Sequence, residues 1–443
     1  MSIPHQRLND RPVQQDSAAQ RPVRTLLGAG VGNALEWYDW SVYAIFAPFF
    51  AAQFFVDDGG AGALLSTLAV FAVGFLMRPV GGFLFGWLAD RYGRRFSMTA
   101  CMMLMAAGSL VIGVAPTDAQ VGVWAAVILV GARLAQGLAH GGEIAASYTY
   151  VAEIAPTARR GLWSTSMYVA VTAGVVLATL IGAAVSSVLG TEAMQEWGWR
   201  VPFLIGGALG FVGLYLRRTL PETDAFLTET GSTDAKATPQ PTSTRQLLRG
   251  LSRNKSNLAR MIGLTLAITI VYNTWAIGIT GYAISTRGVP ASGALWAAVA
   301  ANLVFMVTLP LWGKLSDRYG RKPIFLTYSI AFIVLSFPLF GAINDSPLRL
   351  FVVMSIALFF LGAAVGIMPA YFAELFPTAI RASGIGVPYS LTVAVFGGTA
   401  PYIATWLAGH QLQWLFALYA IASVVIGLIT TMLSPETRGR ELA

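Results

Sequence analysis

The stretch that decides the fold is GWLADRYGRR at residues 86–95, a short charged segment between two long apolar runs. The same pattern returns in the second half of the chain as GKLSDRYGRK at residues 313–322. Two further pairs occur in the same order. AEIAPTARR at 152–160 returns as AELFPTAIR at 373–381, and LPET at 220–223 returns as SPET at 434–437. Recurrence of three motifs in one order predicts two halves built on one plan.

The composition is that of a membrane protein. Hydrophobic residues make up 56% of the chain and charged residues 11%, whereas soluble proteins average about 25% charged residues. Twelve apolar runs approach the length of about 20 residues that a spanning helix needs. We therefore predict an all-α membrane protein with twelve transmembrane helices in two pseudo-symmetric six-helix bundles. The predicted spans are 25–51, 63–89, 96–115, 121–150, 162–188, 200–218, 258–286, 292–312, 323–343, 348–373, 383–407 and 412–433.

The remaining segments are polar. Residues 1–24 predict a disordered cytoplasmic N-terminal tail, because they show neither apolar periodicity nor the features of a signal peptide. The bundles are assigned to 25–218 and 258–433, and a short cytoplasmic tail to 434–443. The linker 219–257 is rich in Ser, Thr and Pro and ends in basic residues, which favour contact with anionic lipid. Its role is interpreted as structural, with regulation as the alternative.

The charges of the loops predict the orientation. The loops that carry the repeated motifs are basic, and the opposite loops hold mainly acids with only Arg200, Arg287 and Arg349 as basic residues. The positive-inside rule therefore places the motif loops, the linker and both termini in the cytoplasm. The basic residues are Arg91, Arg94, Arg95, Arg159, Arg160, Arg217, Arg218, Arg318, Arg321, Lys322 and Arg381; the opposing acids are Asp57, Asp58, Asp118, Glu192, Glu196 and Asp345.

Several function classes find no support in the sequence. The net charge of +8 resides in short loops between apolar runs, which favours contact with membrane lipids over nucleic acid. The single cysteine and the three scattered histidines do not indicate a metal site. The sequence also shows no nucleophile–base pair or phosphate loop of the kind that would indicate an enzyme. We expect no cofactor other than the proton as coupling ion, and a carrier that functions as a monomer.

Ionisable side chains inside predicted spans mark the candidate functional site, because a charge within the bilayer is costly. The first helix holds Glu36 and Asp39 on one face, which Asn33 and Tyr43 extend. The second helix holds Arg78, which precedes Asp90 of the charged loop by twelve residues. At about 1.5 Å per residue along a helix, this places Arg78 well inside the membrane.

The fourth predicted helix carries a polar stripe. Arg133, Gln136, His140 and Glu143 follow at spacings of 3, 4 and 3, which places them along one side of a helix. The second half lacks ionisable residues between its helix ends and offers amides, hydroxyls and aromatic rings instead. These are Tyr272, Asn273, Asn302, Tyr389 and Thr392.

The roles follow from the chemistry of these side chains. A carboxylate in a low dielectric can load a proton near neutral pH, so the proton-coupling candidates are Glu36, Asp39 and Glu143. The planar guanidinium fork matches a carboxylate, so the substrate-binding candidates are Arg133, Arg78, Gln136, His140, Tyr43, Tyr272, Asn273 and Tyr389. Arg133 is preferred over Arg78, since Pro79 and neighbouring glycines suggest a packing corner. The alternative is that the acids and arginines only pair with each other to fix helix packing.

The repeated charged loop predicts a gate at the cytoplasmic face. Its aspartate can accept hydrogen bonds from a helix N-terminus or pair with an arginine, latching one half against the other in one conformation. The gating candidates are Asp90, Arg91, Arg94, Asp317, Arg318 and Arg321.

The motifs identify a family by resemblance. The GxxxDRxGRR loop and the run Arg133-x-x-Gln136-Gly137 resemble motifs of the major facilitator superfamily. GNALEWYDW at 32–40, RPVGG at 78–82 and GGE at 141–143 are similar to motifs of its metabolite:proton symporter family. The resemblance implies a multi-pass carrier of a bacterial-type plasma (inner) membrane, in a family that includes 2-oxoglutarate, citrate, shikimate and proline or betaine carriers.

The prediction for function is a secondary active transporter that takes up a small organic anion, a mono-, di- or tricarboxylate, with protons by alternating access. The alternative is a proton symporter of a zwitterionic osmolyte such as proline or betaine, whose osmosensing relatives carry a C-terminal coiled coil. An efflux antiporter is disfavoured because the fifth helix, around Gly174, lacks the Gly-Pro motif of drug antiporters. A transporter-like sensor would need an added soluble domain.

Overall fold

A computed structural model describes residues 20–55, 61–92, 94–141, 143–218, 252–377 and 380–442. All regular elements in these ranges are helical. The α-helices are α1 (Gln20–Phe54), α2 (Ala61–Leu76), α3 (Arg78–Tyr92), α4 (Arg94–Val114), α5 (Asp118–Val121), α6 (Trp124–Ala139), α7 (Glu143–Ile154), α8 (Arg160–Ala193), α9 (Arg200–Arg218), α10 (Lys255–Tyr272), α11 (Ile279–Arg287), α12 (Ala291–Tyr319), α13 (Arg321–Ala342), α14 (Pro347–Val365), α15 (Met368–Leu375), α16 (Arg381–Phe396), α17 (Thr399–Gly409) and α18 (Gln413–Met432). The predicted tail 1–24 and linker 219–257 fall mostly outside the described residues.

These helices account for the twelve predicted spans. Eight helical stretches in the described ranges are long and apolar enough to cross a membrane: 62–85, 157–198, 255–287, 291–319, 321–342, 347–375, 384–409 and 413–432. Three shorter apolar helices cover 99–114, 124–139 and 200–212, and α1 supplies the remaining span. Helices cross a bilayer because all their backbone hydrogen bonds are internal.

The fourth predicted span is not one helix, which corrects the continuous stripe expected from the sequence. Helix α6 ends at Ala139, His140 caps it, and the chain resumes helical geometry at Glu143. Two adjacent glycines weaken the helix here. A Cβ atom on Gly141 would lie 1.9 Å from the carbonyl oxygen of Arg78, so the backbone approaches α3 where only glycine fits.

Glycines hold the second and fourth spans at backbone contact. A Cβ on Gly81 would lie 1.8 Å from the carbonyl oxygen of Leu138, and one on Gly137 would lie 2.1 Å from that of Gly74. Small residues allow this approach between membrane helices. The packing corner expected beside Arg78 is therefore confirmed.

The two halves meet along α8 and α12. A Cβ atom on Gly313 of α12 would lie 2.9 Å from the carbonyl oxygen of Gly161 on α8, so these helices touch at the backbone near their charged ends. Buried aromatic side chains of both halves join one continuous apolar core. Glycine contacts and the shared core thus set the relative depth of the helices that carry the candidate site.

Candidate functional site

Two buried arginines share the ring of one tryptophan. The side chains of Arg78 and Arg133 are 3% and 0% exposed, and their guanidinium carbons lie 4.3 Å and 4.1 Å from the ring centroid of Trp40. Arg78 also lies 4.0 Å from the ring centroid of Phe75, and Arg133 lies 4.4 Å from that of Tyr43. Contact with aromatic faces offsets part of the cost of burying each cation.

The two arginines differ in their hydrogen bonds. Arg133 donates from Nη1 to Oε1 of Gln136 over 2.9 Å, while its Nε and Nη2 have no hydrogen-bond acceptor in the described structure. Arg78 has no acceptor within that same part of the chain for any of its three nitrogens. Buried cationic donors without acceptors are costly, so both side chains are suited to an anion. Arg78 offers more unpaired donors, although the sequence analysis preferred Arg133.

A hydrogen-bond chain links a carboxylate of the first helix to one of these arginines. Gln136 donates from Nε2 to Oδ2 of Asp39 over 3.0 Å and accepts from Arg133 at its oxygen. Ser109 on α4 donates to Oδ1 of Asp39 and accepts a second bond from Gln136 over 2.9 Å. Sequence reasoning did not select Ser109, because a single hydroxyl in an apolar run gives no charge or spacing signal.

The second carboxylate of α1 contacts a histidine. Oε1 of Glu36 contacts Nδ1 of His140, and both side chains are buried. The rings of Trp37 and Trp40 meet the imidazole edge-on, with centroid distances of 5.8 Å and 5.1 Å. The structure therefore places His140 against Glu36 behind two indole rings, rather than in the substrate cavity suggested for it.

The cavity between the halves spans about 310 Å³, its open mouth included, and is lined on both sides by aromatic side chains. Three of the substrate-binding candidates, Tyr272, Asn273 and Tyr389, line this cavity. The hydroxyl of Tyr272 and Oδ1 of Asn273 are buried without a hydrogen-bond partner in the described ranges, while Nδ2 of Asn273 donates to the Thr269 carbonyl over 3.0 Å. Phe75 lines the cavity and contacts Arg78, so the cavity adjoins the arginine pair.

Two side chains of the first helix turn away from this cavity. The hydroxyl of Tyr43 donates to the Thr67 carbonyl over 3.1 Å, so only its ring contributes to the site, beneath Arg133. Asn33 donates to the Met167 carbonyl over 3.4 Å. The proposed face of α1 therefore divides between carboxylates at the buried site and groups that join neighbouring helices.

The two copies of the AExxPTAxR motif exchange ion pairs between the halves at the end of the bundle that carries the charged loops. Arg160 of the first copy pairs with Glu374 of the second over 3.0 Å, and Arg381 of the second pairs with Glu153 of the first over 2.7 Å. Each arginine also donates through Nε to a carbonyl of its own motif, over 3.2 Å for Arg160 and 3.0 Å for Arg381. The sequence analysis noted this repeat but assigned it no role, because crossed pairing appears only in three dimensions.

The charged loop of the second half joins the same network. Asp317 accepts backbone N–H bonds from Gly161 and Leu162, at the start of α8, over 2.8 Å and 2.9 Å. Arg321 contacts Asp317 over 2.8 Å and Glu374 over 3.1 Å. An aspartate at a helix N-terminus is stabilised by the unpaired N–H groups there. The contact expected for this loop aspartate is therefore present for Asp317.

Other gating and coupling candidates are not part of the described network. Arg318 is exposed and lies over the ring of Tyr319 at 5.3 Å. The side chains of Asp90, Arg91, Arg94 and Glu143 lie outside the described residues. Their assigned roles therefore stay predictions.

The C-terminal segment ties into this face. Glu436 accepts four backbone N–H bonds, from Arg321, Lys322, Thr437 and Arg438. Partial burial opposes ionisation, but these donors outweigh it and hold the pKa of Glu436 below its ordinary value. Thr437 donates to Glu374 over 2.5 Å. We call the charged latch the set formed by Glu153, Arg160, Asp317, Arg321, Glu374, Arg381 and Glu436.

Comparison with known proteins gives a consistent result. The family described as Sugar (and other) transporter matches residues 25–443. The chain is 36% identical over 433 residues to the alpha-ketoglutarate permease of Escherichia coli (strain K12), covering 96% of this chain and 97% of the relative. It is 32% identical over 426 residues to the proline/betaine transporter of Salmonella typhimurium, covering 95% and 84%. A D-xylose-proton symporter structure shares the fold, with a TM-score of 0.69 at 19% identity, covering 95% of this chain and all of that one.

Proposed function

Because the chain belongs to the sugar (and other) transporter family of the major facilitator superfamily, we propose that it takes up a small organic anion, a dicarboxylate in the first instance, together with protons. The observation that carries this proposal is the pair of buried arginines at Trp40 with unpaired guanidinium N–H groups. The relative named as an alpha-ketoglutarate permease supports the same class of substrate.

The arginine pair supplies the charge that such a substrate needs. A guanidinium offers two parallel N–H donors that match the two oxygens of a carboxylate, and charge-assisted bonds of this kind are stronger than neutral ones. Arg78 and Arg133 together match two carboxylates. The hydroxyl of Tyr272 and the amide of Asn273 are placed to bond the remaining polar atoms of the substrate from the second half.

Coupling to the proton follows from the chain between Asp39 and Arg133. While Asp39 is ionised, its negative charge offsets Arg133 through Gln136. A proton on Asp39 removes that charge and leaves a buried cation without compensation, which is costly in the membrane. A substrate carboxylate restores the balance, so proton and anion load together.

Alternating access needs a gate that breaks, and the charged latch has this form. Its ion pairs cross between the halves, so an inward-facing cavity requires Arg160 and Glu374 to separate. The basic motif loops support a cytoplasmic position for this face and both termini in an inner membrane. The proposed unit is a monomer, with the proton as coupling ion and no other cofactor.

A zwitterionic osmolyte is the second candidate substrate. Trp37, Tyr168, Tyr272 and Tyr389 surround the central cavity, and aromatic rings bind quaternary ammonium groups through cation–π contacts. The proline/betaine relatives support this alternative. The two candidates differ in one respect: a betaine needs one guanidinium, whereas a dicarboxylate uses both.

Uptake into proteoliposomes tests the proposal. Dicarboxylate accumulation should require an inward proton gradient, and Asp39→Asn should abolish that accumulation while exchange of internal for external substrate continues. Glu192→Gln, which removes an exposed carboxylate far from the site, serves as the matched control. Accumulation of betaine but no dicarboxylate would favour the second candidate, and normal accumulation by Asp39→Asn would reject the coupling role of this residue.

A further inference from the structure

Two separate cavities flank the first helix. The central cavity reaches Trp37, whereas a second cavity on the other side of α1 reaches Glu36 and Asp39. We propose that Asp39 and Glu36 exchange protons through this second cavity, the flank crevice, so that proton and substrate reach the carrier by different routes. This inference rests on the proposed function, because it concerns the carboxylates assigned to coupling.

The flank crevice lies within the first half. It has a volume of about 460 Å³, its open mouth included, and lies between α1, α4 and α9. Among the residues that the structure describes, its lining shares no member with that of the central cavity. Glu36 and Asp39 are the ionisable carboxyl groups of a wall that is otherwise mostly apolar. The other lining residues that the argument uses are Cys101, Met105, Ala106 and Gly206.

Aromatic rings separate the carboxylates from the central cavity. Trp37 and Trp40 lie against His140, the contact partner of Glu36, and Trp40 meets Phe75 with a centroid distance of 4.7 Å. Protons move along water or hydrogen-bonding groups, and indole and phenyl faces provide no such chain. These rings therefore close the substrate-facing side of α1 at Asp39 in this conformation, while Glu36 also interacts with Arg78 and Tyr389 on that side.

The polar groups around each acid leave the crevice as its open side. Asp39 faces Ser109 from α4 and Gln136 from α6, with Arg133 beyond Gln136. Glu36 faces His140 at the end of α6, and Arg78 from α3 and Tyr389 from α16 interact with it electrostatically. From α9 no charged group among the described lining residues approaches either acid, since that wall is formed by glycines and a leucine.

One glycine keeps the crevice open at Asp39. A Cβ atom on Gly206 would lie 2.9 Å from Oδ1 of Asp39 and 3.1 Å from the ring of Tyr38. A single methyl group therefore fills the space between α9 and the carboxylate. Gly131 on α6 gives a matched control, because a Cβ there would meet no atom within 4 Å among the described residues.

The first test measures proton exchange without any substrate. Protonated Asp39 has a carbonyl stretching band in the infrared spectrum, which is identified by its loss in Asp39→Asn. After transfer into D₂O this band should shift as the carboxyl group exchanges its proton for a deuteron, and the rate of the shift is measured. Gly206→Ala should slow this shift at least about tenfold, the effect of about 1.4 kcal/mol of added barrier. Gly131→Ala should leave it unchanged. An unchanged rate in Gly206→Ala would overturn the proposal.

A second test uses the native chain and its single cysteine. Cys101 lines the crevice, so a bulky methanethiosulfonate reagent should slow the same infrared exchange, and Cys101→Ser should abolish the effect. In proteoliposomes the reagent should reduce proton-driven accumulation while substrate exchange continues, and added substrate should not protect the thiol. Equal loss of exchange and accumulation, or protection by substrate, would show one shared route and overturn the proposal. If unmodified protein transports no dicarboxylate, the proposed function fails, while the infrared measurement still decides the route.

Discussion

The crossed pairs of the charged latch offer a controlled perturbation. Glu374→Gln and Glu153→Gln are the same chemical change at equivalent positions of a repeated motif. The side chains of Glu374 and its partner Arg160 are 0% and 3% exposed, whereas the side chain of Glu153 is 42% exposed. The sequence makes the two variants equal, and they differ in burial and in the further contacts of Glu374 with Arg321 and Thr437.

Burial sets the expected magnitudes. Removing one partner of a buried ion pair typically costs about 3–5 kcal/mol. Arg160 retains bonds to two carbonyl oxygens, so we expect the low end, about 3 kcal/mol, for the pair that crosses between the halves. That figure corresponds to a shift of roughly a hundredfold in the equilibrium between latched and open conformations. An exposed pair contributes about 0–1 kcal/mol, so Glu153→Gln should shift the equilibrium by at most about fivefold.

Distance distributions across the face that carries the charged latch provide the assay. On a Cys101→Ser background, spin labels at exposed positions such as Ala158 and Lys255 report the separation of the two halves. Glu374→Gln should populate a second, longer distance, and Glu153→Gln should keep a distribution close to that of the parent. A larger shift in Glu153→Gln than in Glu374→Gln, or no shift in either, would refute the assignment of the latch to the buried pair.

Two further predictions concern binding and pH. Arg78→Gln should weaken dicarboxylate binding by about 10- to 100-fold, which is the cost of losing one or two charge-assisted bonds. This loss should exceed that of Arg133→Gln, because Arg78 has more donors without an acceptor in the described structure. Calorimetry that shows parental affinity in Arg78→Gln would contradict the anion site. The pKa of Glu436 is lowered in the folded chain, so its ionised form stabilises docking of the C-terminal segment. This stabilisation is complete above the ordinary pKa and is lost as pH falls through the lowered value. A spin label at Glu441→Cys should therefore keep constant mobility from pH 5 to 8, and the additional change Glu436→Gln should increase its mobility throughout that range; equal mobility in both proteins would contradict this role.

The sequence by itself determined the spans and the two-fold plan of this protein. Spanning helices depend on local composition, because each needs about 20 apolar residues with internal backbone bonds. The repeated charged loops showed which segments of the two halves are equivalent, because this equivalence is visible in the order of the residues alone. The location of the candidate site was also readable, since ionisable residues such as Asp39 and Arg133 within apolar runs are costly without a role.

Only the tertiary structure decided which of these groups meet. Periodicity places residues on a helix face, but it does not give the rotation and depth of one helix against another. Those are set by backbone contacts at glycines such as Gly81 and Gly141, which bring Arg78 beside Arg133 and break the fourth span after His140. The partnership of Glu36 with His140, the role of Ser109 at Asp39 and the exchange of ion pairs between motif copies follow from those distances, because electrostatic and hydrogen-bond energies depend on spacing between helices that the order of residues does not encode.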